Sequence, residues 1–410
     1  MIVKQYIKDF ENHVFGMFVH FGIYSSLGKG EWAKKLLDIP DDKYAEAFNN
    51  FNPDPDWADK LAATAKAAGC KYITLTTRHH DGFSLFDTCG LNEYDAPHSP
   101  AGRDLVREFV DGCRAHGIVP FFYHTLLDWH EESYNTDFPR YLKYLRKSVE
   151  ILCTAYGEIG GLWFDGWWDK PEENWEFDEL YALIRRNQPN AMIINNTGLH
   201  LRGKVTHPEI DSVTFERGRP EPINTPDAEK YLASEMCQVF GDHWGYVKLD
   251  FNFKSLATII EDLCTCKRYG SNFLLNIGPM GNGKLRALDT AMLTTLGEWI
   301  NLHSEAIRGT RPSEYSVENK ERDFILEGNG SYYLFCHNLR RSGSANVVLG
   351  GEETELVDRF TFDKKIKSVH WLESEEPLTY KQDDDKCEIY LSEQPYGQSV
   401  VVRIAKIVTE

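Results

Sequence analysis

Residues 104–124, DLVREFVDGCRAHGIVPFFYH, combine a helix and a strand in one unit. Apolar residues recur at helical spacing in the first half, and they are Leu105, Val106, Phe109, Val110 and Cys113. Asp104 is of a residue type that caps helix N-termini, and Gly117 is suited to ending the helix. The following run, 118–123, is short and continuously apolar, as in parallel strands that are covered on both faces. The stretch therefore predicts a helix followed by a buried strand.

The same alternation continues to about Arg311. Further helical patterns begin at Asp56, Ser255 and Asp289. Apolar runs that predict strands cover residues 17–21, 72–75, 118–123, 161–164, 192–194, 213–215 and 273–277. We expect one more strand between Leu232 and Tyr246, where the pattern is weak. This alternation predicts an α/β fold, a (β/α)8 TIM-like barrel over residues 1–311. A doubly wound open sheet is the alternative, but no glycine-rich phosphate loop supports it.

The pattern changes after Arg311. Two apolar runs, 324–326 and 332–335, flank Gly328-Asn329-Gly330, which indicates a β-hairpin. Alternating apolar residues recur near residues 387–391 and 400–404, and no helix is evident. Residues 312–410 are therefore predicted to form a C-terminal antiparallel β-sandwich domain.

Composition excludes several classes of partner. The chain has 410 residues and a formal net charge of −18, so neither nucleic acid nor an anionic membrane is an expected partner. No run approaches the length of a membrane span, and residues 1–11 lack the apolar core of a signal peptide. Most of the 9 cysteines lie in apolar stretches, which favours buried free thiols over disulfides. We expect a cytoplasmic enzyme, and an oligomer is compatible with the sequence.

Polar residues follow the predicted strands, at the end where barrel enzymes carry their chemistry. They include His20, the segment 76–81, His124, Asp165, Asn195, Asn196, Glu216 and Asn276. A barrel that is only structural has no need for such residues on one rim. Their convergence therefore predicts a catalytic or binding site.

Asp165 is the strongest candidate among these residues. It directly follows an apolar strand, and Trp163, Trp167 and Trp168 flank it, so its carboxylate is expected to be desolvated beside aromatic faces. The alternative role is a helix N-cap at the start of a loop. Glycoside hydrolysis needs two carboxyl groups, and Glu216 is a natural partner for Asp165.

Three histidines, His20, His79 and His80, allow either a metal site or a sugar site. A zinc hydrolase is the metal-dependent alternative, because barrels host many such enzymes. No His-x-His pair follows the first strand, and neutral imidazoles that donate to sugar hydroxyls fit better. Glu31-Trp32 is either a hydroxyl acceptor beside a stacking platform or an ordinary surface pair.

Taken together, these motifs resemble glycoside hydrolase family 29, the α-L-fucosidases. The matching stretches occur in the family's order and cover essentially the whole barrel. They are MFVHFGIYS (17–25), GEW (30–32), TTRHHDGFSLFDT (76–88), GLWFDG (161–166), HWGY (243–246) and NFLLNIGPMGNG (272–283). A C-terminal β-sandwich is also similar to that family.

The resemblance implies a retaining mechanism through a covalent fucosyl-enzyme, with Asp165 as the nucleophile and with no metal or organic cofactor. The sugar-binding residues implied by motif match are His20, Glu31, Trp32, His79, His80, Tyr123 and Trp163. The histidines would donate to fucose hydroxyls, and Trp244 or a neighbour would pack against the C5 methyl group.

Two positions depart from the family's pattern. Many members carry Asn-Asp-Arg-Trp after the fifth strand, with the Arg touching the sugar, whereas this chain has NNTG at 195–198; Arg217 is a candidate replacement. The acid/base is either Glu216, which directly follows a strand, or Glu235. The segment around Glu235 resembles the family's W-E-x-C stretch, except that Ser234 replaces the Trp. We prefer Glu216.

The sequence therefore predicts a retaining exo-α-L-fucosidase that acts on terminal α-L-fucose of oligosaccharides or glycoconjugates. The alternatives are a catalytically impaired barrel that binds a fucosylated glycan and a metal-dependent barrel hydrolase. For a retaining enzyme, we expect the two catalytic carboxyl groups to lie about 5–6 Å apart.

Overall fold

A computed structural model describes residues 3–224, 230–343 and 355–410 of the chain. The chain folds as two compact units. One comprises Met1–Lys254 and Ser271–Thr295, and the other comprises Ser255–Gly270 and Leu296–Glu410. The domain boundary predicted after Arg311 stays a prediction.

The first unit contains a closed barrel of eight parallel strands, which confirms the predicted fold class. The strands are β1 (Phe15–Val19), β2 (Tyr72–Arg78), β3 (Val119–Thr125), β4 (Gly161–Asp165), β5 (Met192–Asn195), β6 (Ser212–Glu216), β7 (Ala233–Val239) and β8 (Asn272–Ile277). Each strand pairs with the next one in the chain, and β1 pairs with β8 to close the barrel. β7 lies in the segment with the weak pattern, which is weak because Ser234, Glu235 and Gln238 are polar although the whole strand is buried.

The four helices predicted by position begin within two residues of their predicted starts, and seven further helices in the described part of the chain were not predicted individually. The helices are α1 (Gln5–His13), α2 (Ala33–Leu36), α3 (Asp41–Asn49), α4 (Trp57–Ala67), α5 (Leu105–His116), α6 (Ser133–Thr136), α7 (Phe138–Ala155), α8 (Phe177–Asn187), α9 (Leu256–Arg268), α10 (Ala287–Leu302) and α11 (Ser304–Ile307). Asp104 caps α5 by accepting from the backbone N–H of Arg107, and Gly117 ends that helix at a φ of 70°. Asp56 precedes α4 but makes no capping hydrogen bond.

Side chains that alternate along each strand fill the barrel interior, because successive strand residues point to opposite faces. A buried apolar cluster occupies this interior and comprises Ile7, Phe10, Phe18, Tyr72, Phe121, Tyr123, Trp163, Met192, Ile194, Ala233, Cys237 and Leu274. Two residues after Phe18, Trp163 and Ile194 of this cluster, the chain carries the polar residues His20, Asp165 and Asn196, and Glu216 joins them at the end of β6. The barrel thus carries a polar layer on top of an apolar one.

The second unit contains two antiparallel sheets, as predicted. Its strands are β9 (Thr310–Pro312), β10 (Phe324–Gly328), β11 (Ser331–Cys336), β12 (Val357–Thr361), β13 (Ile366–Trp371), β14 (Thr379–Asp383), β15 (Lys386–Tyr390) and β16 (Arg403–Thr409). The sheet orders are β13-β16-β11-β10-β9 and β12-β15-β14. The predicted hairpin turns at Asn329 and Gly330, both at positive φ, as a two-residue hairpin turn requires.

All nine cysteines lie in the described part of the chain, where none forms a disulfide bond and all except Cys89 are buried. Among the described residues, no helix is both long enough and apolar enough to cross a membrane.

Candidate active site

A cavity of about 160 Å³ lies at the C-terminal ends of the barrel strands. Its lining residues are Phe18, His20, Trp32, His79, His80, Tyr123, Trp163, Asp165, Trp168, Asn196, Leu199, Glu216, Cys237 and Trp244. A larger hollow of about 520 Å³ is lined by residues of α1 and of the strand starts, including Tyr6, Phe10 and Pro120. Barrel chemistry belongs at the C-terminal face, and the smaller cavity gathers the strand-end residues there.

Asp165 ends β4 and projects into this cavity, with 15% of its side chain exposed. Its Oδ1 accepts hydrogen bonds from Nε1 of Trp168 and Nδ2 of Asn196, each at 3.2 Å. Its Oδ2 accepts from the Tyr123 hydroxyl, also at 3.2 Å. Burial raises the pKa of Asp165, and these donors oppose the rise because they stabilise the carboxylate.

Glu216 ends β6 and faces Asp165. Nδ2 of Asn196 donates to Oε2 of Glu216 at 2.7 Å as well as to Oδ1 of Asp165 at 3.2 Å. The two carboxylate oxygens are therefore no more than about 6 Å apart, close to the spacing of about 5–5.5 Å in retaining glycosidases. Burial and the neighbouring Asp165 charge raise the pKa of Glu216 to about 7. Such a group keeps its proton near neutral pH and can act as an acid.

Glu235 lies deeper in the barrel and does not line the cavity. Across β6 and β7, Thr214 pairs with Glu235 while Glu216 pairs with Cys237, so Glu235 sits two residues, about 7 Å, below Glu216. It accepts hydrogen bonds from the Tyr72 hydroxyl at 2.5 Å and from Nε1 of Trp163 at 2.9 Å. Burial raises the pKa of Glu235 to about 7 as well. The geometry favours Glu216 over Glu235 as the partner of Asp165.

His20 and His80 lie in the cavity as neutral rings, since burial lowers the pKa of each to about 3. Nδ1 of His20 contacts Oδ1 of Asn276 at 2.6 Å, and Nδ1 of His80 contacts the Thr125 hydroxyl at 2.7 Å. Asn276 donates its own amide hydrogen to Trp244, and Thr125 donates to Leu127. Nδ1 therefore carries the hydrogen in both rings.

The consequence of this hydrogen-bond network is that Nε2 of His20 and of His80 is left as an acceptor. In this tautomer Nε2 of each ring would accept a hydrogen bond from a sugar hydroxyl, and the donor role that the family resemblance implies stays a prediction. Burial also lowers the pKa of His79, and its buried Nδ1 has no hydrogen-bond partner among the described residues.

The three histidines do not gather as a metal site. Within the described part of the chain, the residues that group at metal-ligand spacing are Asp323, Cys336 and Asp358, in the second unit. Nζ of Lys320 lies 2.6 Å from Oδ1 of Asp358, so a cationic side chain already contacts that group.

Glu31 supports the cavity wall and does not line it. Its buried carboxylate accepts from the backbone N–H of Gly245 at 2.7 Å and so fixes the HWGY segment that carries Trp244. A Cβ at Gly245 would lie 3.0 Å from Glu31 N, so this close approach favours glycine. Arg217 is exposed, lies over the Trp244 ring at 5.1 Å and donates to the Asp242 carbonyl. It does not line the cavity either.

Three tryptophans stand beside His80. The ring centroid of Trp32 is 5.0 Å from that of Trp129 and 6.0 Å from that of Trp168. Sequence reasoning selected Trp32 as a stacking platform, but it treated Trp168 only as a neighbour of Asp165. The signal that could have identified Trp168 is its position three residues after the carboxylate, at the start of the same loop. No sequence pattern distinguishes Trp129.

An acid with a pKa near 7 that faces a second carboxyl group at the mouth of a barrel is the pairing that glycoside hydrolysis requires. The protein is accordingly a barrel glycoside hydrolase. The sequence model of the family described as Alpha-L-fucosidase matches residues 3–305. The chain belongs to this family, glycoside hydrolase family 29.

Individual relatives agree with this assignment. The chain is 27% identical over 366 residues to the tissue alpha-L-fucosidase of Bos taurus, covering 80% of this chain and 74% of that protein. It resembles the structure of alpha-L-fucosidase isoenzyme 1 from Paenibacillus thiaminolyticus, with a TM-score of 0.83, 29% identity and 99% of each chain covered. It also shares its fold with a family 29 alpha-L-fucosidase of Bacteroides thetaiotaomicron that was trapped as a covalent intermediate. That likeness has a TM-score of 0.82 and 21% identity, and it covers 100% of this chain and 97% of the other.

Proposed function

We propose that this protein is a retaining exo-α-L-fucosidase, in which Asp165 is the nucleophile and Glu216 is the acid/base. The observation that carries the proposal is the shared contact of Asn196, which brings the two carboxylates to within about 6 Å of each other. An inverting enzyme needs a wider gap, of about 6.5–9.5 Å, to admit a water molecule between the carboxyl groups and the sugar.

In the proposed reaction, an oxygen of Asp165 attacks the anomeric carbon as the glycosidic C–O bond breaks. Glu216 transfers its proton to the departing oxygen, which leaves as an alcohol. Glu216 then removes a proton from water, whose oxygen attacks the same carbon and releases Asp165. The two inversions restore the original anomer.

The size of the cavity supports an exo-acting enzyme. About 160 Å³ lies well below the range of about 300–1,000 Å³ that is typical of pockets for larger ligands. Such a volume suits one sugar unit, with the rest of the glycan outside. We propose fucosylated oligosaccharides or glycoconjugates as substrates.

The lining of the cavity supports a deoxy sugar. His20 and His80 present ring acceptors to hydroxyl groups, as described above. Phe18, Cys237 and Trp244 form an apolar wall, and the Phe18 and Trp244 centroids are 6.0 Å apart. A methyl group is buried more favourably against such a wall than a hydroxymethyl group, because the latter would lose a hydrogen bond to water.

The lack of disulfide bonds among the buried cysteines of the described residues supports a reducing compartment, and we propose the cytoplasm as the location of the protein.

The test is hydrolysis of an aryl α-L-fucoside by the purified protein, with an aryl α-galactoside in parallel. We expect turnover of the fucoside, little of the galactoside, and α-L-fucose as the first product in a proton NMR time course. Initial release of the β anomer would contradict retention. Binding of fucose without turnover would instead indicate the glycan-binding alternative.

A further inference from the structure

Asn196 occupies the space between the two proposed catalytic carboxylates. It directly follows β5, it is 1% exposed, and its backbone N–H donates to the Phe164 carbonyl at 2.8 Å. Its side-chain NH2 group donates one hydrogen bond to Asp165 and one to Glu216, at 3.2 and 2.7 Å. An amide nitrogen has two hydrogens, so this group is fully used by the pair.

A hydrogen bond to the side-chain oxygen of Asn196 fixes the orientation of this amide. The backbone N–H of Gly198 donates to the Thr214 hydroxyl at 3.3 Å, and that hydroxyl donates to Oδ1 of Asn196 at 2.8 Å. Since Oδ1 accepts from Thr214, the NH2 end must face the carboxylates. The relay needs a glycine at position 198, because a Cβ there would lie 2.0 Å from the Thr214 carbonyl oxygen.

The residue type also matters for the charges. A cationic side chain between the carboxylates would favour loss of the Glu216 proton, and a third carboxylate would oppose ionisation of Asp165. An amide supplies two donors without adding a charge. It therefore holds both groups while leaving one able to be protonated and the other able to ionise.

From this geometry we infer that Asn196 is a positioning residue, which sets the separation and the protonation balance of the Asp165–Glu216 pair through the relay from Gly198 and Thr214. The inference rests on the proposed function, because it assigns a role to Asn196 in the same reaction.

The expected effect on pH dependence has a definite sign. A donor to a carboxylate favours the ionised form, so removing it raises the pKa of both groups. Other groups also face the pair and remain in place. For Asp165 these are Tyr123, Trp168 and His80, and for Glu216 they are Arg217, Glu31, Tyr123 and Cys237.

The experiment compares pH profiles of kcat/KM on an aryl α-L-fucoside for the wild type, Asn196→Ala, Asn196→Asp and Thr214→Val. For Asn196→Ala we expect a loss of about ten- to hundredfold at the optimum. Both limbs of the profile should move up by about one pH unit. Asn196→Asp preserves the shape of the side chain but replaces both donor hydrogens by a carboxylate oxygen. We expect it to be at least as impaired as Asn196→Ala. Thr214→Val should show a smaller shift in the same direction.

The matched control is Asn195→Ala. Asn195 is equally buried, but its side chain donates to the Tyr181 hydroxyl in α8. We expect this variant to be less stable and to keep both limbs in place. The inference is overturned if Asn196→Ala loses activity with unmoved limbs, or if Asn195→Ala moves them equally.

A second readout separates this inference from the proposed function. Carbon-13 NMR titration reports the pKa values of the Asp165 and Glu216 carboxyl carbons whether or not the protein hydrolyses fucosides. The signals are assigned with Asp165→Asn and Glu216→Gln. Upward shifts of both pKa values in Asn196→Ala would support the inference even if the wild type proved inactive. Unchanged values in an active enzyme would overturn the inference and leave the function standing.

Discussion

Glu216 and Glu235 show that burial alone does not make a glutamate an acid catalyst. Both have a pKa raised to about 7, mainly because burial removes them from water. Only Glu216 lies beside Asp165, whereas Glu235 is enclosed by donors from Tyr72 and Trp163. Its place under Trp163 suggests that it fixes that ring as part of the cavity wall.

This difference leads to a prediction about leaving groups. Glu216→Ala should lose about a hundredfold or more in kcat/KM on fucosides with poor leaving groups, because protonation of the leaving oxygen contributes that much. It should lose far less on an aryl fucoside whose leaving group needs no proton. Glu235→Gln is the matched control, and we expect its losses on the two substrates to be similar. If kcat/KM depended steeply on the leaving group in Glu235→Gln but not in Glu216→Ala, Glu235 would be the acid/base.

Arg217 gives a prediction about pH. Its positive charge lowers the pKa of Glu216, against the larger effect of burial. Glu216 must be protonated to act, so activity should fall as the pH rises through about 7. Arg217→Met removes the opposing charge, and the alkaline limb should move to higher pH by up to about one unit. Arg202→Met is the control, because Arg202 pairs with Glu221. An alkaline limb that moves down, or equal shifts in both variants, would contradict the prediction.

At the level of single elements, the sequence predicted which strand ends carry polar side chains and favoured Glu216 as the partner of Asp165, but it left Glu235 open. Asp165 and Glu216 follow apolar runs, so their positions were visible. The choice between Glu216 and Glu235 depended on the register of β6 and β7, which pairs Glu216 with Cys237. β7 has an irregular pattern of polar residues, so the sequence does not show where this strand begins and ends. The pairing of its residues with those of β6 could therefore not be predicted. The contacts of Asn196 depend on three strands at once and have no local signal.

The sequence also did not show which of two aspartates caps its helix, and this difference gives a prediction about stability. Asp104 and Asp56 both precede helices, but only Asp104 accepts from a backbone N–H of its helix. Asp104→Ala should lower the free energy of unfolding by about 1–2 kcal/mol, measured by urea denaturation, because it removes the capping bond and the hydrogen bond from the Tyr156 hydroxyl. Asp56 makes an exposed ion pair with Lys60, and Asp56→Ala should change the free energy of unfolding much less than Asp104→Ala does. Equal losses in the two variants would contradict a stabilising role for the hydrogen bonds of Asp104.

At the level of the whole molecule, the alternation of strands and helices was enough to predict the barrel. Short apolar runs separated by amphipathic helices are compatible with few other folds. The change after Arg311 to a pattern of alternating apolar and polar residues indicated the antiparallel sheets. Strand bounds shifted by a few residues because continuous apolar runs do not mark their own ends. Glu31 was predicted from a motif, and Arg217 was a candidate replacement for an Arg that the family carries elsewhere. Their places outside the cavity follow from long-range contacts.

The protein as a whole should not depend on a metal ion for activity. The proposed reaction uses two carboxyl groups. The Nδ1 atoms of His20 and His80 are already hydrogen-bonded to Asn276 and Thr125. Prolonged treatment with a strong chelator should therefore leave kcat and KM on an aryl α-L-fucoside within about twofold of the untreated values. Loss of activity that returns on adding Zn²⁺ would instead support the metal-dependent alternative.

The burial of Asp165 implies a trade-off between stability and function. Its raised pKa means that the ionised carboxylate is less stable in the folded protein than in the unfolded chain. The charge therefore lowers the free energy of unfolding at neutral pH. Asp165→Asn removes the charge and keeps an acceptor for the donors at Oδ1. The variant should be inert and at least as resistant to unfolding as the parent. With its cavity intact, such a protein would act as a lectin, a reagent that retains fucosylated glycans without consuming them.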